Sequence, residues 1–93
     1  MIRSFKDKEA EVLFRTRRAS KRLAPYAKAA LRKLDQLDVV DDVNELRIPP
    51  GNELKRLHGR LEGLFQIRID NTHRVRFRWE GKDAYNVEVG DFH

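Results

Sequence analysis

The clearest pattern in the chain is the strict alternation of basic and apolar residues over positions 74–79. Successive side chains of a β-strand point to opposite faces, so this alternation predicts a strand with two unlike faces. The apolar face carries Val75, Phe77 and Trp79 and needs a core to cover it. The other face is made of arginines, namely Arg74, Arg76 and Arg78. The segment therefore predicts a core strand whose second face is open to water or to an anionic partner.

Two similar alternations flank this strand. Before it, Gln66 and Arg68 separate apolar residues at Phe65, Ile67 and Ile69. After it, Asn86 and Glu88 separate apolar residues at Tyr85, Val87 and Val89. Turn-forming residues at 70–73 and 80–83 join the three segments, which predicts an antiparallel meander. Arg68 then lies with the other arginines on the open face of the sheet.

The first half of the chain has helical periodicity instead. Residues 2–5 are short enough for one strand, and Asp7 is a suitable cap for a helix that starts near Lys8 and ends after Arg15 or Thr16. Pro25 suits the first turn of a second helix. The apolar stripe of the first helix is Ala10, Leu13 and Phe14, and that of the second is Ala27, Ala30, Leu31, Leu34 and Leu37.

These elements predict an α+β fold with two layers. The N-terminal strand and two helices come first, and the helices pack on a mostly antiparallel sheet of three or four further strands. A loop signal at 49–52, Pro-Pro-Gly-Asn, separates the two halves. The 93 residues suffice for one domain, and we expect that domain to span residues 1–93.

Charge narrows the class of partner. The chain has 20 Lys and Arg against 15 Asp and Glu, a net charge of +5, which favours nucleic acid, an acidic protein or a membrane surface. It has no cysteine, which fits a reducing cytoplasm, and no apolar run of membrane-spanning length. A membrane-surface role for the second helix is disfavoured because its apolar stripe is rich in alanine. An open basic sheet face instead suits an RNA backbone.

Two charged segments allow more than one interpretation. Basic residues gather where the first helix ends, at Arg15, Arg17, Arg18, Lys21 and Arg22, which is typical of a solvated helix end and less often of a partner contact. Carboxylates gather over residues 35–45, at Asp35, Asp38, Asp41, Asp42 and Glu45. No histidine accompanies them, so a solvated connector is favoured over a metal site.

The histidines are the remaining chemical groups of note. His58, His73 and His93 are far apart in the chain, and a zinc site built from them is disfavoured. Histidine with arginine instead suits RNA cleavage, in which the ribose 2′-OH attacks its own phosphate and the protein supplies a base, an acid and cations. Solvated histidines with no catalytic role remain the ordinary alternative.

Eight short segments are spread in order along nearly the whole chain: residues 1–5, 46–52, 57–59, 67–69, 74–79, 83–85, 87–89 and 91–93. Taken together, they resemble the HigB family of toxins in the RelE superfamily. The resemblance implies a RelE-like fold and a toxin of a type II toxin–antitoxin system that cuts mRNA in the ribosomal A site, without a metal or other cofactor. It implies a HigA-type helix-turn-helix antitoxin as partner, operator binding only through the antitoxin complex, and no membrane partner.

The resemblance also implies which residues form the site. The catalytic positions fall on Lys55, His58, Arg74 and His93, with a stacking aromatic at Phe92. Arg74 is expected to hold the scissile phosphate and His93 to act as general base or acid. The expected RNA contacts besides Phe92 are Arg68, His73, Arg76 and Arg78.

Three positions depart from the family's pattern. His58 stands where lysine is usual, His73 where tryptophan is common, and Phe92 where tyrosine is usual. Phe92 has no hydroxyl, so it can stack on a base but cannot act as an acid. This departure leaves a second hypothesis open: an RNA-binding or repressor-complex component that kept the fold and lost the chemistry.

Overall fold

A computed structural model describes residues 1–92. Two helices, α1 (Lys8–Thr16) and α2 (Ala27–Val39), lie in the first half. Four strands follow: β1 (Lys55–Arg56), β2 (Leu64–Arg68), β3 (Arg74–Glu80) and β4 (Asp83–Gly90). The strands pair antiparallel in the order β1-β2-β3-β4, which confirms the predicted α+β meander.

Helix α1 begins and ends as its sequence predicts. Asp7 caps it, because Asp7 Oδ1 accepts from the amides of Glu9 and Ala10 at 3.0 and 3.2 Å. The helix ends at Arg17, which has a φ of 64° and whose amide donates to the carbonyl of Leu13. Ala10 and Leu13 are fully buried, while Phe14 packs at the edge of the core.

The core lies between the helices and one face of the sheet. Ala30, Leu34 and Leu37 of α2 pack with Val75 and Phe77 of β3, and all five are fully buried. Trp79 is only half-buried, and its indole nitrogen donates to the carbonyl of Gly81. The apolar face of β3 therefore packs against the helices and forms one side of the core, as its alternation predicts.

The N-terminal strand is present only as an interrupted one. Ile2 and Phe5 form isolated parallel bridges with Ala84 and Val87 of β4 instead of a continuous ladder. The interruption lies beside Asn86, whose amide donates to Ser4 Oγ at 2.9 Å. Because β4 is irregular at this position, a regular ladder cannot run past it.

That irregularity also corrects the predicted face of Tyr85. The pairing of β3 with β4 shifts between Arg76 and Arg78, and Asn86 has a φ of 53°. This β-bulge places Ala84 and Val87 in the core and Tyr85 opposite Arg78, on the other face. The predicted alternation of Tyr85 with Val87 and Val89 is wrong because it assumed a regular strand.

The acidic segment is structural. Helix α2 extends through Val39, so Asp35 and Asp38 lie on it, and Asp38 Oδ1 accepts from the amide of Ile2 at 2.9 Å. Asp42 and Glu45 form a capping box on a short 3₁₀ helix, Val43–Arg47. Within residues 1–92, no three His, Asp or Glu side chains gather closely enough to hold a metal ion.

The proline loop contains the one buried polar side chain among the described residues. Asn52 lies at the end of a 3₁₀ turn, Pro50–Asn52, and donates to the carbonyl of Leu46 at 3.0 Å and to Gln36 Oε1 at 2.9 Å. Its own oxygen accepts from Lys33 Nζ at 2.5 Å, and burial lowers the pKa of Lys33. These bonds fix the loop that leads into β1. In the described part of the chain, no helix is long and apolar enough to cross a bilayer.

Candidate functional site

The strand register sorts the basic residues into rows. Residues paired directly across antiparallel strands lie on the same face, with Cβ atoms roughly 5 Å apart. We call the side of the sheet that carries Arg68, Arg74, Arg76 and Arg78 the arginine face; it is opposite to the core. Three rows cross it: Arg68–Arg74–Gly90, Lys55–Gln66–Arg76–Glu88 and Leu64–Arg78–Tyr85.

The middle row brings together residues from all four strands. Lys55 on β1 is exposed and lies opposite Gln66, and Gln66 Oε1 accepts from Arg76 Nε at 3.3 Å. Glu88 ends the row on β4 and forms an ion pair with Lys6 at 3.6 Å. Two cations and one carboxylate therefore occupy a single line across the face.

The tail after β4 returns to this middle row. The ring of Phe92 lies under the guanidinium of Arg76, with 4.3 Å between the Arg76 Cζ atom and the ring centroid. This distance is within the range of a cation–π contact. The structure thus brings Phe92 onto Arg76. Lys55 lies in the same row, two strands away from Arg76. His93, expected to act as base or acid, lies outside the described residues.

Arg74 is held by the turn that precedes its strand. Its Nη1 group donates to the carbonyls of Asp70 and His73 at 2.5 and 3.0 Å. These bonds fix the guanidinium at the edge of the arginine face, in the row that ends at Gly90. A guanidinium anchored through Nη1 can still hold two phosphate oxygens through Nε and Nη2.

His73 does not lie on the arginine face. Its ring stacks on Tyr26, with ring centroids 3.6 Å apart, and its Nδ1 atom lies 2.9 Å from Asp70 Oδ1. Tyr26 belongs to the short 3₁₀ turn before α2, so this stack lies on the helix side of the sheet. Burial raises the pKa of Asp70, but the His73 side chain and the Thr72 and His73 amides outweigh it and leave that pKa lowered.

The remaining predicted site residues lie at the margins. Arg68 forms an ion pair with Glu53 at 3.2 Å and a hydrogen bond with Asn71, so it is partly neutralised. Arg78 is exposed and passes close to Gly63. His58 is exposed and lies directly before a 3₁₀ turn, Gly59–Leu61, two residues beyond β1.

Gln66 and Tyr85 lie on the arginine face but were not predicted as site residues. Gln66 orients Arg76, and Tyr85 stands opposite Arg78 with its hydroxyl-bearing ring on the same face. The sequence signal for Tyr85 is Asn86, because asparagine tolerates a left-handed backbone conformation and can mark a bulge. Strand alternation alone places Gln66 on the same face as Arg68, so it could have been predicted as a site residue once that face was taken as the functional one.

With this geometry described, comparison with known proteins identifies the family. The family model for the RelE-like toxin of the type II toxin–antitoxin system HigB matches residues 3–93. The chain belongs to the HigB-like toxin family. Toxin HigB-1 of Vibrio cholerae is 37% identical over 89 residues, which cover 94% of this chain and 93% of that toxin. An uncharacterized protein of Haemophilus influenzae is 30% identical over 60 residues, or 64% of this chain and 59% of that protein.

Membership confirms the predicted family and the class of system. The HigB-like protein described here is a toxin of a type II toxin–antitoxin system, and such a toxin has an antitoxin partner. RelE-like toxins are generally endoribonucleases. The two helices on a four-stranded antiparallel sheet are consistent with the RelE-like fold.

Proposed function

We propose that this HigB-like toxin is a ribosome-dependent mRNA endonuclease that cuts in the A site of the small subunit and so inhibits translation. The observation that carries the proposal is the contact of Phe92 with Arg76 on a sheet face that also carries Lys55, in the same row, and the anchored Arg74. Such a face offers cations to a phosphate and an aromatic ring to a base.

The proposed reaction needs no nucleophile from the protein. The ribose 2′-OH attacks the adjacent phosphorus, the bond to the 5′-oxygen breaks, and a cyclic phosphate and a 5′-OH form. Arg74 and Arg76 stabilise the charge on the phosphate, because arginine stays protonated and can hold two oxygens at once. Lys55, in the same row as Arg76, adds a further positive charge to this face, and the proposed reaction uses no metal ion.

Proton transfer is assigned to the imidazoles. His93 is the proposed general base or acid, since it follows Phe92 directly and histidine titrates near neutrality. His58 and Lys55 assist at the β1 side of the face. Phe92 stacks on a base of the mRNA, while Arg68 and Arg78 contact the RNA backbone.

The proposed partners follow from the family. The antitoxin is of the HigA type, with a helix-turn-helix, and the toxin reaches operator DNA only within that complex. The toxin acts in the cytoplasm, where ribosomes and mRNA are found.

Controlled expression of Arg76→Met tests the proposal. We expect the wild type to arrest growth and to produce new mRNA 5′ ends at codons on ribosomes. Arg76→Met should lower cleavage by on the order of 100-fold, because it removes one charge stabiliser from the site. Arg32→Met is the matched control: it removes the same charge from the exposed side of α2 and should cleave like the wild type.

Two outcomes would contradict the proposal. Growth arrest by the wild type without new mRNA ends would favour the non-enzymatic RNA-binding component. Wild-type cleavage by His93→Ala would leave the endonuclease in place but remove His93 from the assigned chemistry.

A further inference from the structure

The outer edge of β4 is covered in an unusual way. Up to Val87 the N-terminal segment supplies the partners: the amide of Lys6 donates to the carbonyl of Val87 at 3.0 Å, and the amide of Val87 donates to the carbonyl of Ser4 at 3.1 Å. At Val89 side chains take over. The amide of Val89 donates to Asp7 Oδ2 at 3.2 Å, and its carbonyl accepts from Arg22 Nη1 at 2.8 Å. Asp7 and Arg22 thus take the place of a neighbouring strand for one residue.

Asp7 divides its two oxygens between two tasks. Oδ1 caps α1, and Oδ2 accepts from both Arg22 Nη2, at 2.7 Å, and the amide of Val89. The Asp7 side chain is only 14% exposed, whereas that of Arg22 is 41% exposed. An ion pair this exposed adds little to stability, so its importance lies in the position it fixes.

Arg22 is held firmly in its charged form. Its Nε donates to Glu9 Oε1 at 2.8 Å, in addition to the bonds with Asp7 and Val89. Burial acts to lower the pKa of Arg22, but the bonds to Glu9 and Asp7 outweigh it, and the net shift is upward. Its three nitrogens therefore bind three residues, two at the start of α1 and one on β4.

Asp7 and Arg22, together called the clamp, hold Val89 directly before the tail that carries Phe92. Gly90 is buried, and a Cβ atom built on it would lie 3.5 Å from Arg22 Nη1 and 3.7 Å from Phe92 Cζ. The Arg22 guanidinium and the Phe92 ring thus both lie against Gly90. The ring in turn lies under Arg76. A continuous series of contacts runs from the cap of α1 to the arginine face.

We propose that Arg22 and Asp7 are positioning residues that clamp Val89 and so direct the C-terminal tail, with Phe92, onto the arginine face. Neither side chain is assigned any contact with RNA. The clamp explains why Arg22, a member of the basic cluster after α1, is ion-paired toward the sheet. Its effect on cleavage rests on the proposed endonuclease activity, while its effect on the tail does not.

Asp7→Asn in the full chain separates the two tasks of Asp7. Asparagine keeps an oxygen for the helix cap and is an equally good capping residue, so α1 should remain folded. The amide group that replaces Oδ2 offers donors to Val89 and Arg22, which are themselves donors, so the two bonds that Oδ2 accepts are lost. Asp35→Asn is the matched control, because it breaks the ion pair between Arg17 and Asp35 (2.8 Å), which does not contact β4.

Two measurements by NMR report on the tail without any RNA. In Asp7→Asn, hydrogen exchange of the Val89 amide should quicken about tenfold or more. The ring-current shifts that Phe92 imposes on the protons of Gly90 and Arg76 should shrink toward zero. Asp35→Asn should change neither. A second variant, Arg22→Met, should reproduce both effects. Arg22→Lys should keep the wild-type exchange rate and shifts only in part, because lysine has one nitrogen where arginine uses three.

Cleavage on ribosomes provides the third measurement. Asp7→Asn should lower kcat by about tenfold to a hundredfold, since a small displacement of a positioned group has costs of this size, and KM should stay within about threefold. Unchanged exchange and ring-current shifts in both Asp7→Asn and Arg22→Met would overturn the clamp. If the ring-current shifts of Phe92 shrink in these variants while kcat stays at the wild-type value, the link between the clamp and cleavage would be overturned. If the wild type cuts no mRNA, the proposed function fails, and the two NMR measurements still decide the clamp.

Discussion

Arg74 and Arg76 are alike in sequence but are held in different ways. Arg74 is fixed by two carbonyls of the turn before β3, which hold its guanidinium at the edge of the arginine face. Arg76 is fixed by Gln66 and by the ring of Phe92. We therefore place Arg76 at the centre of the proposed site together with Arg74, whereas the sequence suggested only a docking role for it. Alternation gives both side chains the same face and carries no information about their partners.

Phe92 supports the first prediction. Phe92→Leu should lower mRNA cleavage on ribosomes by about tenfold to a hundredfold, because a stacked base contributes about 1–3 kcal/mol and leucine offers no ring. Phe92→Tyr keeps the ring and should cleave at least as well as the wild type. Both rates are measured on purified ribosomes with a defined mRNA. Equal activity of Phe92→Leu and the wild type would remove base stacking from the mechanism.

In strand β4, the bulge at one residue, Asn86, determines which side chains face the core and how the strand pairs. Its bulge at Asn86 turns Tyr85 to the arginine face and keeps Ala84 and Val87 in the core. The same bulge breaks the pairing with the N-terminal segment into two bridges. Beyond the bulge, the clamp of Asp7 and Arg22 binds Val89, one residue before the strand ends at Gly90. The backbone conformation of β4 at Asn86 thus determines which residues the strand contacts on either side of the bulge.

The bulge gives a prediction about stability. Asn86→Val should lower the free energy of unfolding by about 1–2 kcal/mol, because a β-branched residue is disfavoured at a positive φ. Asn86→Gly is the matched control and should stay within about 0.5 kcal/mol, since glycine adopts this conformation readily. Urea denaturation followed by circular dichroism measures both. Two variants of equal stability would mean that the positive φ at Asn86 imposes no cost.

At the scale of the whole molecule, the two layers have separate tasks. The helices cover the apolar face of the sheet and carry many of the paired charges, among them Arg17 with Asp35 and Arg15 with Glu11. The opposite side of the sheet, away from the core that α1 and α2 cover, holds the row of Lys55 and Arg76. The net charge of +5 is therefore expected to act mainly through the arginine face.

Salt provides the corresponding prediction. Binding to ribosomes should weaken steadily between 50 and 200 mM salt, since each lysine or arginine that meets a phosphate releases counterions. Arg76→Met should reduce the slope of log affinity against log salt by about 1. Asp41→Asn, a change in the acidic segment, should leave affinity and slope close to those of the wild type. A salt-independent affinity of the wild type would rule out the arginine face as the docking surface.

The sequence by itself determined the elements, the layers and the two faces of β3. It could do so because helix caps, turns and alternation depend on neighbouring residues, as Asp7 with α1 and residues 74–79 show. Only the tertiary structure decided the face of Tyr85, the place of His73 on the helix side, and the meeting of Phe92 with Arg76. The bond from Arg22 to Val89 joins residues 67 positions apart. Contacts at such separations depend on how the layers pack, and no local pattern encodes them.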